Sequence, residues 1–209
     1  MKPHKASIID LGIGNVGSLQ AALKYCSIES ELITKPTKVD SQLFILPGVG
    51  SYPAAMKIIK KRKLEPFIHE MSQNKLFLGI CLGMQLLGTS STEGGEYTQG
   101  LGLIDFDVVS LKRIGWGQNK VPNIGFHKTL MLDREIFKGF GSTYPFYYVH
   151  SFAADPHTLK KENKSATFMA NGAEFISAVR KENIIGLQFH PEKSHKMALK
   201  LFSNIFPEK

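Results

Sequence analysis

At 209 residues, with 43% apolar and 21% charged side chains, the chain has the length for one well-packed domain, placed here over residues 1–209, and the balance of an ordinary globular protein. No stretch approaches the roughly 18 apolar residues of a membrane-spanning helix, and the start, Met1-Lys2-Pro3-His4-Lys5, does not read as a signal peptide; the expectation is a cytoplasmic protein whose two cysteines, Cys26 and Cys81, stay reduced. The net charge of +8 comes partly from Lys57, Lys60, Lys61, Arg62 and Lys63, which without interleaved aromatics read as a solvated helix face and not a nucleic-acid surface.

Ala6–Leu11 reads as a short buried strand, Gly12–Gly17 as a turn, and Ser18–Tyr25 as a helix whose first serine can cap it. Glu31–Thr34 and Leu43–Leu46 are the next strands, the latter ended by Pro47-Gly48. Tyr52–Lys61 and Leu64–Gln73 are helical, Lys75–Ile80 is a fourth strand, and Cys81 opens a helix over Leu82–Leu87. Apolar strands alternating with helices predict a parallel sheet covered on both faces. Farther on, strands are predicted over Gly100–Leu111, Phe146–Phe152, Thr167–Ala170, Phe175–Val179 and Ile184–Phe189, with few helices between them, before a closing helix over Met197–Ile205. The fold class is α/β: a doubly wound, mostly parallel sheet flanked by helices, with an added mixed or antiparallel layer in the C-terminal half.

Gly79-Ile-Cys81-Leu-Gly83, between a predicted strand and a predicted helix, matches the nucleophile-elbow pattern with sulfur in place of oxygen. Small residues on both sides let strand and helix approach, and the turn lifts the nucleophile to the helix N-terminus, where free N–H groups suit a thiolate and the Leu82 N–H can donate to an oxyanion. A buried cysteine in an ordinary strand–turn–helix crossing has the same pattern until a base is found. His190-Pro191-Glu192 supplies one: proline keeps His190 out of the helical region, and an extended His-Pro-Glu sets imidazole and carboxylate side by side. The carboxylate then fixes the tautomer while the imidazole takes and returns a proton. A surface pair at a strand end is the bland alternative. On these residues the amide attacked is open, glutamine or a peptide. A metal is not expected, since His190 and His195 are not at helical ligand spacing and Cys81 stands alone. Gly12-Ile-Gly-Asn-Val-Gly17 fits a dinucleotide fingerprint, but the acidic residue due ~20 positions on should end a second strand. Glu29 and Glu31 come too early and Asp40 lies in a loop, so no nucleotide or other cofactor is expected.

Gly79-Ile-Cys-Leu-Gly-Met-Gln85 together with Gln188-Phe-His-Pro-Glu192 resembles the class I (triad) glutamine amidotransferases. Asp10-Leu-Gly-Ile-Gly-Asn15, Leu46-Pro-Gly-Val-Gly-Ser51, Gly94-Gly95, Gly100-Leu-Gly102, Tyr148-Val-His-Ser-Phe152 and Phe189-His-Pro-Glu-Lys-Ser194 resemble, within that class, the glutaminase subunits of imidazole glycerol phosphate synthase, from about residue 7 to the C-terminus. The resemblance implies that Cys81 attacks the side-chain amide of L-glutamine to give a γ-glutamyl thioester, that His190 protonates the leaving ammonia and then activates water, and that Glu192 orients His190. It implies an oxyanion hole from the backbone of Leu82 with Val49 or Gly50, in a segment that flips when the partner binds its ligand. Glutamine would be held by Gly48, Gln85, Glu93 and the His150-Ser151-Phe152 edge, with His150 a satisfied loop histidine and not a base. Ammonia would pass to a (β/α)₈-barrel cyclase subunit in a heterodimer, with Asn15, Phe126, Tyr147 and Lys193 near the interface. One stretch departs from the pattern. Where these subunits read Val-Pro-His-hydrophobic-Gly-Trp-Asn, this chain reads Val121-Pro-Asn-Ile-Gly-Phe-His127. The stretch is expected to face the barrel, where aromatic anchors carry much of the binding energy. Together with Leu11, where Tyr is usual, it keeps open a diverged copy of the pair that feeds a surface-polysaccharide sugar amidotransferase.

Overall fold

The computed structural model describes residues 4–206. The first half alternates as the sequence predicts: β1 (His4–Ile9), α1 (Val16–Tyr25), β2 (Ile28–Ile33), β3 (Leu43–Gly48), α2 (Tyr52–Lys61), α3 (Leu64–Asn74), β4 (Leu76–Cys81) and α4 (Leu82–Leu86). The second half is β5 (Ser90–Ser91), β6 (Thr98–Gln99), β7 (Asp107–Ser110), β8 (Asn123–Met131), β9 (Thr143–His150), β10 (Phe152–Ala154), β11 (Lys164–Ala170), β12 (Ala173–Lys181) and β13 (Ile184–Leu187), closed by α5 (His195–Ala198) and α6 (Lys200–Ile205).

Nine strands form one sheet in the order β2-β1-β3-β4-β13-β12-β11-β8-β9. Strands β2, β1, β3, β4 and β13 pair in parallel, and β12, β11, β8 and β9 continue antiparallel. Successive residues of the parallel strands enter opposite cores. Ile8, Ile45, Leu78 and Ile80 pack with α1 and α6, whereas Ile9, Phe44, Leu46 and Phe77 pack with α2, α3 and α4. Both faces are therefore covered, which is why the inner strands β3, β4 and β13 are almost continuously apolar, whereas the edge strand β2 carries Glu29 and Glu31. The antiparallel strands extend the same sheet, and a separate small sheet, β10-β7-β5-β6, forms the second layer.

Several expectations are corrected. The cap of α1 is Asn15, whose side chain accepts Ser18 N–H at 3.2 Å, so Ser18 lies inside the helix. Gly100–Leu111 is a strand only at β7; before it, Leu101 and Leu103 N–H donate to Leu86 and Leu87 O, so the chain wraps the end of α4 and satisfies its last carbonyls. The closing helix begins at His195 and is divided at Leu199. Strand β8 lies where no strand is predicted. The basic cluster divides as well: Lys57, Lys60, Lys61 and Lys63 are exposed, while Arg62 Nη1 donates to Asp10 O at 2.7 Å and anchors the β1–α1 turn.

In open α/β sheets, ligands bind beyond the carboxyl ends of the parallel strands. The ends of β3 and β4 are paired there, Gly48 beside Cys81, and β13 delivers His190 to the same edge.

Candidate active site

Cys81 stands between β4 and α4 at φ 55° and ψ −110°. A residue with a side chain in such a region costs roughly 1–3 kcal/mol and persists only where its surroundings force it. The flanking glycines supply that force. A Cβ on Gly79 would lie 2.7 Å from Gly83 C and O, and a Cβ on Gly83 would lie 1.6 Å from Leu46 O. Bare backbone at both positions lets α4 sit directly on β3 and β4. The sharp turn left to Cys81 brings its Sγ 3.7 Å from Val149 O and 3.8 Å from Gln188 Nε2.

His190 leaves β13 extended, its N–H donating to Tyr147 O at 2.9 Å. Pro191–Lys193 then form a 3₁₀ turn, a departure from the extended His-Pro-Glu read in the sequence. The turn carries Glu192 back, and His190 Nδ1 lies 2.8 Å from Glu192 Oε1. Ser194 locks the turn, accepting Tyr147 N–H and donating to His190 O. The two side chains are 4% and 6% exposed. Burial alone favours neutral imidazole, but the hydrogen bond and charge of Cys81, and after it Glu192, outweigh burial and push the His190 pKa up to about 10. His190 Nε2 is enclosed and makes no hydrogen bond of ordinary length in this geometry; Cys81 is the group that most strengthens its charge. Thiol, imidazole and carboxylate in this order are groups that can serve as a nucleophile, an acid–base and an orienting group.

A cleft of about 230 Å³ opens beside Cys81, lined by Val49, Gly50, Leu82, Gln85, Glu93, Pro122 and residues 149–152. Its size suits a small metabolite. Five of the expected glutamine contacts, Gln85, Glu93, His150, Ser151 and Phe152, meet here. Gly48 does not; it lines a cavity of about 20 Å³ behind the triad with Asn15, His190, Glu192 and Lys193. Glu93 is the cleft's carboxylate, accepting Tyr52 N–H at 3.1 Å, and burial raises its pKa against the hydrogen bonds of Tyr52 and Ser51. His150 has both ring nitrogens committed within the protein, Nδ1 to Phe152 O at 2.9 Å and Nε2 to Asn123 at 3.1 Å. Burial pulls its pKa down to about 4.

The expected oxyanion donors divide. Leu82 is the first residue of α4, so its N–H has no intrahelical acceptor. Val49 N–H, by contrast, donates to Ile13 O at 3.0 Å, so in this conformation it serves the β1–α1 turn and not the cleft. Gly50, next along, holds φ +119° with no atom within 4 Å of a would-be Cβ. The Gly12–Gly17 turn is thus a backstop for the Pro47–Gly50 segment, and Glu31, the acidic residue nearest a dinucleotide pattern, accepts from Ser7 and Ser41 at 3.0 and 3.2 Å.

Phe126, Tyr147 and Lys193 form one outer surface. Phe126 is 47% exposed, its ring centroid 5.4 Å from Tyr147 and 4.9 Å from His195, and Lys193 Nζ lies 6.0 Å over Tyr147. Asn123, expected on that face, is turned inward at 3% exposure, because strand alternation sends residues 123 and 126 to opposite sides. Gln188 is a residue that sequence reasoning missed. It is fully buried, and its amide touches both Cys81 and Gln85. Its spacing of two from His190 on an extended chain was the available signal.

The class-I glutamine amidotransferase model matches residues 7–207. Imidazole glycerol phosphate synthase subunit HisH of Bacillus velezensis is 40% identical over 196 residues, covering 90% of this chain and 88% of that one. Subunit HisH of Sulfurimonas denitrificans is 38% identical with 95% of each chain covered, and subunit HisH 2 of Pseudomonas aeruginosa is 36% identical with 94% and 96% covered. Among solved structures, PurLQS from Thermotoga maritima superposes with a TM-score of 0.74 over 97% of each chain at 21% identity, a likeness of fold. The chain belongs to the class-I glutamine amidotransferase family, alongside the HisH subunits of imidazole glycerol phosphate synthase.

Proposed function

We propose that this chain is the glutaminase subunit of an imidazole glycerol phosphate synthase. It hydrolyses L-glutamine in the cytoplasm and passes the ammonia to a (β/α)₈-barrel cyclase subunit, its partner in a heterodimer serving histidine biosynthesis. One observation carries the chemistry: a cysteine held at positive φ beside a buried His190–Glu192 pair, at the mouth of a cleft that presents Gln85 and Glu93. The Cys81 thiolate attacks the side-chain amide carbon, and His190 gives its proton to the departing nitrogen. Ammonia leaves a γ-glutamyl thioester. Water then adds to the thioester carbon as His190 takes its proton, and glutamate departs as Sγ is released. Glu192 accepts from His190 Nδ1 throughout. Leu82 N–H supplies one oxyanion donor; for Val49 N–H to supply the second, its bond to Ile13 has to break. A resting chain with half an oxyanion hole spares glutamine, since the loss of one such donor costs roughly 10²–10³-fold in rate in enzymes that rely on an oxyanion hole.

The test is glutamate release by the chain alone, and with the cyclase subunit from the same source plus that subunit's ribonucleotide ligand. Low activity alone and a strong rise in the mixture is the expected result, with Cys81→Ala silent in both. Activity retained by Cys81→Ala refutes the triad. A second reading rests on Phe126 and its neighbours on β8, which differ from the usual partner-facing residues: the same chemistry feeding a surface-polysaccharide sugar amidotransferase. A mixture that stays silent while Cys81 reacts with a glutamine-like electrophile favours that partner.

A further inference from the structure

From the outer part of β8 to the nucleophile runs a hydrogen-bond chain in which every donor can be assigned. The Phe152 carbonyl can only accept, so His150 carries its proton on Nδ1, at 2.9 Å. That leaves His150 Nε2 as an acceptor, 3.1 Å from the Asn123 amide nitrogen. Asn123 therefore presents its carbonyl to His127 Nε2–H, at 2.7 Å. In the other direction, Gln85 Nε2 donates to the same Phe152 oxygen at 2.8 Å and to Gln188 Oε1 at 3.1 Å, and Gln188 Nε2 reaches Cys81 Sγ at 3.8 Å. Both Gln85 N–H bonds are spent on protein acceptors, so its Oε1 is the atom left for a ligand in the cleft. His127 at the far end is fixed by packing, stacked on Phe168 at 4.6 Å and edge-on to Trp116 and Tyr148. Burial keeps both histidines on the neutral side of their usual range.

We infer that His127 and Asn123 are positioning residues for the amino-acid end of the substrate: they hold His150 in the Nδ1–H tautomer, which fixes the Phe152 carbonyl and, through it, the amide orientation of Gln85. Neither residue touches the cleft. Without His127 the Asn123 amide is free to turn over, His150 can shift its proton to Nε2, and the Phe152 carbonyl loses one of its two donors. The inference rests on the glutaminase reading, and it specifies which atoms set glutamine affinity.

The experiment compares two reagents for Cys81, the diazoketone analogue of glutamine and iodoacetamide. The first reads amino-acid binding together with thiol reactivity, and the second reads thiol reactivity alone. His127→Phe keeps a ring in the aromatic box and removes the donor. It is expected to raise the half-saturating analogue concentration about 10-fold, the effect of one lost hydrogen bond that also unpairs a buried group, with iodoacetamide labelling within about twofold of wild type. The exchange Asn123→His with His127→Asn keeps the polarity, since the imidazole then carried on the first position donates to His150 and accepts from the amide carried on the second. It is expected to recover most of the loss that Asn123→His alone produces. Unchanged analogue affinity in His127→Phe, or an equal fall with both reagents, overturns the inference. A wild-type chain that iodoacetamide labels and the analogue does not overturns the glutaminase reading itself.

Discussion

Replacing Gly83 by alanine tests the link between elbow geometry and chemistry. The added Cβ would sit 1.6 Å from Leu46 O, an atom of β3 locked in the sheet. Restoring an ordinary carbon–oxygen contact of about 3.3 Å requires α4 to move relative to β3 by more than about 1.5 Å. Overpacking on this scale costs about 3 kcal/mol or more, a fall in Tm of roughly 6–12 °C for a chain of this length. Cys81 is joined to both moving parts, and a displacement of about 1 Å at a reacting group loses roughly 100-fold in rate. Gly79→Ala meets Gly83 backbone at 2.7 Å and is expected to show a smaller loss of both kinds. Gly141→Ala, whose nearest neighbour would be 3.9 Å away, is the control and should stay within about 0.5 kcal/mol of wild type. Thermal unfolding and analogue labelling of Cys81 measure the two consequences separately. Gly83→Ala with wild-type Tm and wild-type labelling would show that close helix–strand approach does not shape this site.

Three further outcomes follow from the charges and the surface. The folded pKa of His190 lies above its unfolded value, so its stabilising contribution is complete below about pH 6.5 and disappears as pH rises towards about 10; in Glu192→Gln that alkaline loss, read by urea unfolding at pH 7 and pH 10, should shrink, and an unchanged difference refutes the assignment. His150 is displaced the other way: buried and neutral to about pH 4, it leaves the unfolded chain binding the extra proton, so stability falls as pH drops from about 6.5 towards 4, and His150→Gln should flatten this part of the acid limb. Phe126→Ala should weaken partner-stimulated glutamate release by about 2 kcal/mol of binding without altering analogue labelling of the isolated chain; equal stimulation at low partner concentration removes Phe126 from the interface.

The parallel half of the fold was readable because its chemistry is redundant. Strands such as Leu43–Leu46 are apolar at every position since both faces are covered, and Gly79 and Gly83 announce a crossing that admits no side chain. The meeting of Cys81, His190 and Glu192, the proposed triad, was readable because each sits in a local pattern at or just past a strand end. Less legible was anything set by the third dimension alone. Val49 N–H is committed to Ile13, thirty-six positions earlier, a contact that no spacing rule anticipates, and the amide of Gln188 joins Cys81 to Gln85, where spacing from His190 signals only the face and not these partners.

Strand β8 was hidden for a more instructive reason. Hydrophobic periodicity locates the apolar face of a strand, and the reading assumes that this face is buried. In β8 the assumption is inverted. Asn123 and Thr129 are buried and His127 is half-buried, whereas Ile124, Phe126 and Leu130 are 62%, 47% and 44% exposed. A buried polar face is stable only if its groups are paired. Here they are, His127 and Asn123 through His150, and Thr129 through Tyr148 to Ser177. The two faces then have separate tasks. The inner one runs as a hydrogen-bonded line to the cleft beside Cys81, and the outer one exposes Ile124 and Phe126 beside Tyr147 and Lys193, the kind of apolar surface that marks a protein–protein contact. Since adjacent residues of one strand serve the two faces, a partner that presses on Phe126 acts one residue away from His127. The residues by which this chain departs from the usual subunit pattern, Asn123, Phe126 and His127, therefore lie where the proposed partner surface and the proposed substrate-positioning line share a backbone.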